Sequence, residues 1–390
     1  MCGQARGQSP RTGVQEINST GVVRIIMNVA VTGVGATAGL AIVRSLRRAA
    51  LPLWLLGLNA DAWAPALYLC DAAALVPRAS DEDRYLDTLE ALIRKHRIEA
   101  LIPGLDVELG VLSRGQERLH ALGCRVIVSP PAVIDFARDK ERTYQVLREK
   151  GVPFARTESF ESFQRSCTPA SFPVIVKPKD GAGSVGIAVL CSTADLERYR
   201  PRPGDIVQDY LIPAAWGLKT VTPADVTRGG RLRQEDELRL QTSIAPNGEM
   251  LPILSTINVL VHGASLRIRP TRDSTLLDFG QRAFSILADM GAVGPCNLQG
   301  RVTDAGPVLF EVNPRFTGCA AGHAAIGYNE CEATLRLLVL GEGPAAIAPR
   351  LAIEWDGLCL RYYTETVVPS VRTESLASLV AAGQPAPTGG

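Results

Sequence analysis

The chain is poor in the residues that mark common metal, secreted and membrane proteins. Among 390 residues there are only four histidines, at 96, 120, 262 and 323. Nine cysteines are scattered at 2, 70, 124, 167, 191, 296, 319, 331 and 359, and no Cys-x-x-Cys pair occurs. A thiol zinc site needs closely paired ligands, so this spacing speaks against one. An odd, unpaired set in a long chain fits reduced thiols, and a cytoplasmic location is expected. No run approaches the roughly 18–20 apolar residues that cross a bilayer. Residues 1–27 are polar, lack a signal-peptide core, and read as a disordered leader or an upstream start before Met27. Charge of one sign is also missing: 41 basic and 40 acidic side chains leave a net +1. Nothing here calls for nucleic acid or a membrane surface as partner.

What is present is an ordinary globular composition, 46% apolar and 21% charged, in a chain long enough for two or three subdomains. From Asn28 strands and helices alternate. Val29–Thr32, Leu53–Gly57, Ala100–Ile102 and Arg125–Val128 read as strands. Leu40–Ala49, Tyr85–Lys95 and Glu108–Leu122 read as the helices between them. This alternation predicts a parallel α/β sheet covered on both faces, a Rossmann-like domain over 28–135. Asp139–Lys150 follows as a helix. Phe172–Lys177, Gly186–Cys191 and Asp205–Tyr210 then form a small mixed unit, taken as 136–212 with its hinge. A polar stretch, Pro213–Gln234, opens a further unit over 213–370. That unit carries strands around Pro246-Asn247-Gly248, a helix at Leu276–Met290 and a hairpin at Asn297–Asn313. The tail 371–390 is rich in Ala, Ser, Gly and Pro and is expected to be flexible.

Three segments carry chemistry. Gly33, Gly35 and Gly39 follow the first strand, but their G-x-G-x-x-x-G spacing is one residue longer than the dinucleotide fingerprint. They fit either an NAD(P) phosphate cradle or a tight strand-to-helix turn. The second segment runs from Pro173 to Ile187, where a strand delivers Lys177. Lys179 and a loop containing Asp180, Gly181, Gly183, Ser184 and Gly186 follow. Glycine lets backbone N–H groups approach phosphate oxygens, and the lysines supply cations. A polar hairpin with exposed lysines is the plainer alternative. In the third segment a three-residue loop, Asp304-Ala-Gly306, pairs Thr303 with Pro307 and sets Gln299 opposite Glu311. Period-2 alternation then puts Gln299, Arg301, Glu311 and Asn313 on one face, with Leu298, Val302, Val308, Phe310 and Val312 on the other. Two amides and an acid suit a hard cation such as Mg²⁺, though a solvated strand face would look similar.

Taken in order, these pieces resemble the ATP-grasp superfamily, in particular the branch like the carbamoyl-phosphate synthase large subunit. The likeness runs from about Asn28 to Leu340. It rests on Phe172-Pro-Val-Ile-Val-Lys177-Pro, the 180–186 loop and Phe310-Glu-Val-Asn-Pro-Arg-Phe-Thr-Gly318. Ile102-Pro-Gly-Leu-Asp106-Val-Glu108 and Asp139-Lys140 are similar too. The resemblance implies a pre-ATP-grasp domain, then two α+β subdomains holding ATP between them. It implies that Lys140, Lys177 and Lys179 meet the phosphates and that Asp180–Gly186 closes over them. Gln208-Asp209-Tyr210-Leu211 would join the subdomains, with backbone at Tyr210 and Leu211 on the adenine edge. Glu237 would hold the ribose, with Lys219 as the rival position. Gln299, Glu311 and Asn313 would bind Mg²⁺ (or Mn²⁺). Arg315 would stabilise the transferring phosphate, and Arg267 would sit near the reacting groups. With these pieces in register, the first-domain glycines read as a turn facing substrate rather than an NAD site.

The implied reaction is an ATP-dependent ligation of a small carboxylate to a small amine through an acyl phosphate, in an enzyme for which the family suggests a homodimer. Two alternatives remain: carboxyphosphate or carbamoyl-phosphate chemistry on bicarbonate, and an ATP-binding regulatory module without catalysis. Only one ATP-grasp unit is present, which weighs against the first. The retained Glu311, Asn313 and Arg315 weigh against the second.

Overall fold

Five strands whose side chains are apolar in both directions build the N-terminal sheet. The computed structural model describes residues 14–17, 23–179, 186–218, 222–228, 231–261, 263–362 and 367–368, with backbone alone at 14–17, 23–25, 223, 228 and 231. The order along the chain is β1 (Val14–Ile17), β2 (Val23–Val31), α1 (Thr37–Leu46), β3 (Leu53–Asn59), β4 (Ala72–Leu75), α2 (Glu82–His96), β5 (Ala100–Ile102), α3 (Asp106–His120) and β6 (Arg125–Val126). Strands β4-β3-β2-β5-β6 pair in parallel, and β1 adds antiparallel to β2. A sheet covered on both faces needs apolar residues at successive positions. Val29, Val31 and Leu55 accordingly pack to one side, while Ala30, Leu56 and Leu101 pack to the other. Gly39 lets α1 lie against the end of β2, because a Cβ there would meet Gly33 O at 2.3 Å. The glycine run is therefore a close-packed turn.

Next come α4 (Pro131–Arg138), α5 (Lys140–Glu149), β7 (Thr157–Ser159), α6 (Phe160–Ser166), β8 (Val174–Pro178), β9 (Ala188–Leu190), α7 (Thr193–Arg198) and β10 (Asp205–Asp209). The antiparallel sheet β7-β10-β8-β9 packs Val174, Val176 and Val207 on Phe160, Phe163 and Leu196. Its other face carries Ile175, Lys177 and Gln208. Helices α4 and α5 belong elsewhere, since Phe136, Leu147 and Phe154 share a core with the C-terminal sheet. The boundary expected at 136 thus runs through that core.

The third unit begins with α8 (Pro223–Val226), β11 (Thr227–Arg228) and β12 (Arg231–Leu232). It continues with β13 (Glu237–Ile244), β14 (Leu254–Val261), β15 (Ala264–Pro270), α9 (Ser274–Asp289), β16 (Gly294–Thr303), β17 (Gly306–Asn313), α10 (Ala320–Ala325), α11 (Glu330–Leu338), α12 (Pro344–Ile347) and β18 (Cys359–Leu360). The antiparallel order is β17-β16-β13-β14-β15-β18. Leu238 and Leu240 face α9, and Leu298 and Val312 share that core with residues of α4 and α5. The reverse face is polar, and α10 and α11 cover its far end. Helix α1 packs on that pair, with Ser45 Oγ donating to Asn329 Oδ1 at 2.8 Å.

The last hairpin differs from the expected one in an instructive way. Its loop has two residues, Asp304 and Ala305, and Thr303 pairs with Gly306. A β-bulge opposite Gln299/Gly300 then absorbs one residue of β17, so Gln299 still faces Glu311. Gly300 is required there, because a Cβ would meet Val308 O at 2.3 Å. Below the bulge the faces exchange. Leu309 is fully buried in the core, while Phe310 lines the cleft and Val308 stands opposite Arg301. Val308 and Phe310 were expected in the core; the bulge moves them out of it. Among the described residues, no helix is long and apolar enough to cross a membrane.

Candidate active site

A cleft of about 420 Å³ lies where the three units meet. The small sheet supplies Ile175, Lys177, Gln208 and Asp209. The large sheet supplies Glu237, Arg239, Gln299, Arg301 and Glu311, and the first domain supplies Thr37 and Asp106.

Strand β8 aims Lys177 inward by the alternation that buries Val174 and Val176. Its Nζ donates to Gln208 Oε1 at 2.8 Å. The Gln208 amide in turn donates to Thr157 Oγ1 at 2.8 Å and to Phe310 O at 3.1 Å. Burial pulls the Lys177 ammonium down to about 8, with Glu311 pulling upward and Lys140 downward. Lys140 opens α5, capped by Asp139, which accepts from Arg142 N. Its Nζ donates to Lys179 O at 3.1 Å and stands 3.9 Å from Glu311 Oε1. Two cations and one carboxylate therefore converge from both lobes. Lys179 faces Asp139 at 2.9 Å instead, and neither it nor Gly186 lines the cleft. Asp180, Gly181, Gly183, Ser184 and the rival Lys219 lie outside the described residues.

At the hinge Asp209 reaches Arg156 at 3.3 Å, and burial raises its pKa against that partner. The two backbone groups expected at the adenine edge are partly committed. Tyr210 N donates to Pro173 O at 3.3 Å, and Leu211 O accepts from Arg301 Nη1 at 2.6 Å. Arg301 also lies 4.7 Å from the Tyr210 ring centroid, and Arg233 lies 3.8 Å from that of Trp216. Tyr210 and Arg301 line the cleft, and Arg301 also lies 5.5 Å from the Trp216 ring centroid.

Glu237 begins β13 inside the cleft and pairs with Arg239 at 2.6 Å. Burial raises the Glu237 carboxyl despite Arg239. Arg239 escaped the sequence reading; the available signal was its position two residues along the same strand, hence on the same face. Gln299 and Glu311 stand opposite each other, and Asn313 stands opposite Asn297. Gln299 Nε2 donates to Asn297 Oδ1 at 3.1 Å. Arg315 forms a two-point pair with Asp106, at 2.5 and 3.0 Å, and its Nη2 donates to Asn313 Oδ1 at 3.3 Å. Arg267 does not belong to this constellation. A register break between Val259 and Leu260 turns β15, so Ser265 and Ile268 share the inner face and Arg267 is exposed outside.

The donors Gln299, Glu311 and Asn313 are all oxygen-bearing and suit Mg²⁺. They include one acid, and no cluster of three or more His, Cys, Asp or Glu side chains among the described residues is placed to hold a metal. An ion here would need phosphate oxygens to complete its shell.

Residues 29–127 match the family model of the PylC-like N-terminal domain. Over 261 residues the chain is 23% identical to the carbamoyl phosphate synthase large chain of Thermoplasma acidophilum, covering 62% of this chain and 23% of that protein. The chain spans about a fifth of the length of the curated relatives it matches. Two solved structures share its fold. The L-amino acid ligase from Bacillus licheniformis gives a TM-score of 0.58 at 15% identity, over 80% of this chain and 74% of that one. The biotin carboxylase–βγ-ATP complex from Campylobacter jejuni gives 0.60 at 15% identity, over 85% and 74%.

Proposed function

We propose, from its fold and its sequence similarity, that the chain is an ATP-grasp protein and an ATP- and Mg²⁺-dependent ligase coupling a carboxylate to an amine. The observation that carries this reading is the meeting of Lys140 and Lys177 with the Glu311 carboxylate in one cleft. Two cations on a polyanion and a hard-ion face beside them are what phosphoryl transfer from ATP uses.

In this reading Lys140 and Lys177 hold the phosphates, and the Asp209–Leu211 backbone flanks the base. Glu237 bonds the ribose. Gln299, Glu311 and Asn313 would hold Mg²⁺, which supplies charge neutralisation at the terminal phosphates. Arg315, released from Asp106 or shared with it, meets charge developing on the transferred group. The substrate carboxylate attacks the γ-phosphorus, giving an acyl phosphate and ADP. Amine attack on the acyl carbon then expels phosphate. Positioning and fixed charge do most of this work, so losing one partner should be costly.

The test is an ADP-release screen of acid and amine pairs, repeated with ¹⁸O-labelled carboxylate. One label per turnover should appear in phosphate, and unlabelled phosphate beside amide product would sink the acyl-phosphate route. Glu311→Ala should lower kcat by about 10²- to 10³-fold with the fold intact by circular dichroism.

A further inference from the structure

Cys319 lines the floor of the cleft beside Arg239, Ser265 and Gly318, and the mechanism above gives it no task. His323 lies one helical turn on; its backbone N–H donates to Cys319 O at 2.9 Å, which puts the two side chains on one face. His323 Nδ1 is 3.2 Å from Glu330 Oε1, and both residues are enclosed, at 0% and 1% exposure. His323 Nε2 has no hydrogen-bond partner among the described residues. From β14, Asn258 Nδ2 donates to Cys319 Sγ at 3.7 Å. On β13, Arg239 stands opposite Gln299 and lines the same cleft as Cys319.

Burial alone would push the Cys319 thiol up. Arg239, His323 and Ser265 outweigh it and hold the thiol at about 5. Burial likewise works against a charged His323, yet Glu330 and Cys319 raise it to about 9. Of the other ionisable neighbours, Cys359 on β18 is pushed up by burial, and Arg361 donates to Ser265 O at 2.9 Å. Elsewhere in the fold Cys70, Cys124 and Cys296 are driven to about 12, as inert buried thiols are. Only a thiol meant to carry charge needs the arginine, imidazole and carboxylate arranged around Cys319.

We propose that Cys319 is a nucleophile that takes the acyl group from the acyl phosphate, forming a thioester on the enzyme before the amine reacts. His323 and Glu330 are positioning residues that keep the sulfur ionised. The inference rests on the ligase reading. A sulfur lone pair forms the C–S bond as the bond from acyl carbon to phosphate oxygen breaks and inorganic phosphate leaves. The amine nitrogen then forms the C–N bond as the C–S bond breaks. The proton lost by nitrogen neutralises the departing sulfur and passes to water, restoring the thiolate.

Two measurements test this. In iodoacetamide alkylation with peptide mass mapping from about pH 4.5 to 9, Cys319 should react with an inflection near pH 5. Glu330→Gln should move that inflection upward. An inflection above about pH 8 in the unaltered protein overturns the proposal. In the second, turnover with each acid that drives ADP release is quenched in acid. The protein should gain the mass of that acid less water, at Cys319, and lose it to hydroxylamine. Cys319→Ala should carry no adduct and form amide about 10²-fold or more slowly. ADP and amide formation without an adduct, undiminished in Cys319→Ala, overturns the covalent step and leaves the ligase reading standing. No ADP release with any acid overturns both. The alkylation arm needs no variant, so misfolding of Cys319→Ala does not remove the test.

Discussion

Lys177 shows how one side chain's surroundings set a measurable property. Its ammonium, held near 8 by burial, is the cation expected against phosphate. Phosphate stabilises the charged form, so on the proposed reading nucleotide affinity should be highest below pH 8 and fall as the pH rises through it. Calorimetric titration of Mg-ATP from about pH 7.5 to 9.5 should show affinity level at first, then falling toward about tenfold per pH unit. Lys177→Met should bind weakly with that inflection gone; an unchanged inflection would assign it to another group. Lys177, Gln299 and Glu311 stand out in the sequence because each sits in a short motif whose apolar neighbours mark the reverse face of its strand. Arg239 and Cys319 were not. Strand β13 is buried along its whole length, polar residues included, so its pattern looks like neither a core strand nor a half-exposed one. Cys319 gains meaning from partners on β13, β14, β15, α10 and α11.

Bulges decide which residues an element presents, and two of them explain both a success and a failure. In β17 the extra residue compensates for a turn one residue shorter than expected, which is why Glu311 was found opposite Gln299 from the wrong loop. In β15 the same kind of irregularity turns Arg267 outward. Sequence periodicity carries no signal for either, because a bulge is fixed by what the neighbouring strand tolerates. Gly300 is the one visible trace. Gly300→Ala should force the bulge open and cost about 1–3 kcal/mol, read as a lower urea midpoint at unchanged m-value. It should also weaken Mg-ATP binding by slipping Gln299 past Glu311. Long periodic elements such as α2, α3 and α9 were legible to within a few residues. Helices α10 and α11 were not singled out, since short helices buried among other elements lack a polar stripe.

Across the whole molecule, the first domain reaches into the cleft through Asp106. Its two-point pair with Arg315 joins the end of the parallel sheet to the segment after β17. Asp106→Ala should leave that guanidinium unaimed. We expect kcat to fall about 10- to 100-fold while KM for ATP changes little. A rise in KM alone would mean that Asp106 shapes binding instead. The parallel domain and the order of units were legible because alternation there is strict. The packing of α4 and α5 under the C-terminal sheet was not, since it depends on contacts far apart in sequence. One small feature governs how such a molecule can breathe. The Gln208 side chain ties the β8 lysine and Thr157 to the carbonyl of Phe310, beside the hairpin's acid. A rotation of the small sheet about that seam would keep the lysine nearest the axis and carry the β9 edge furthest.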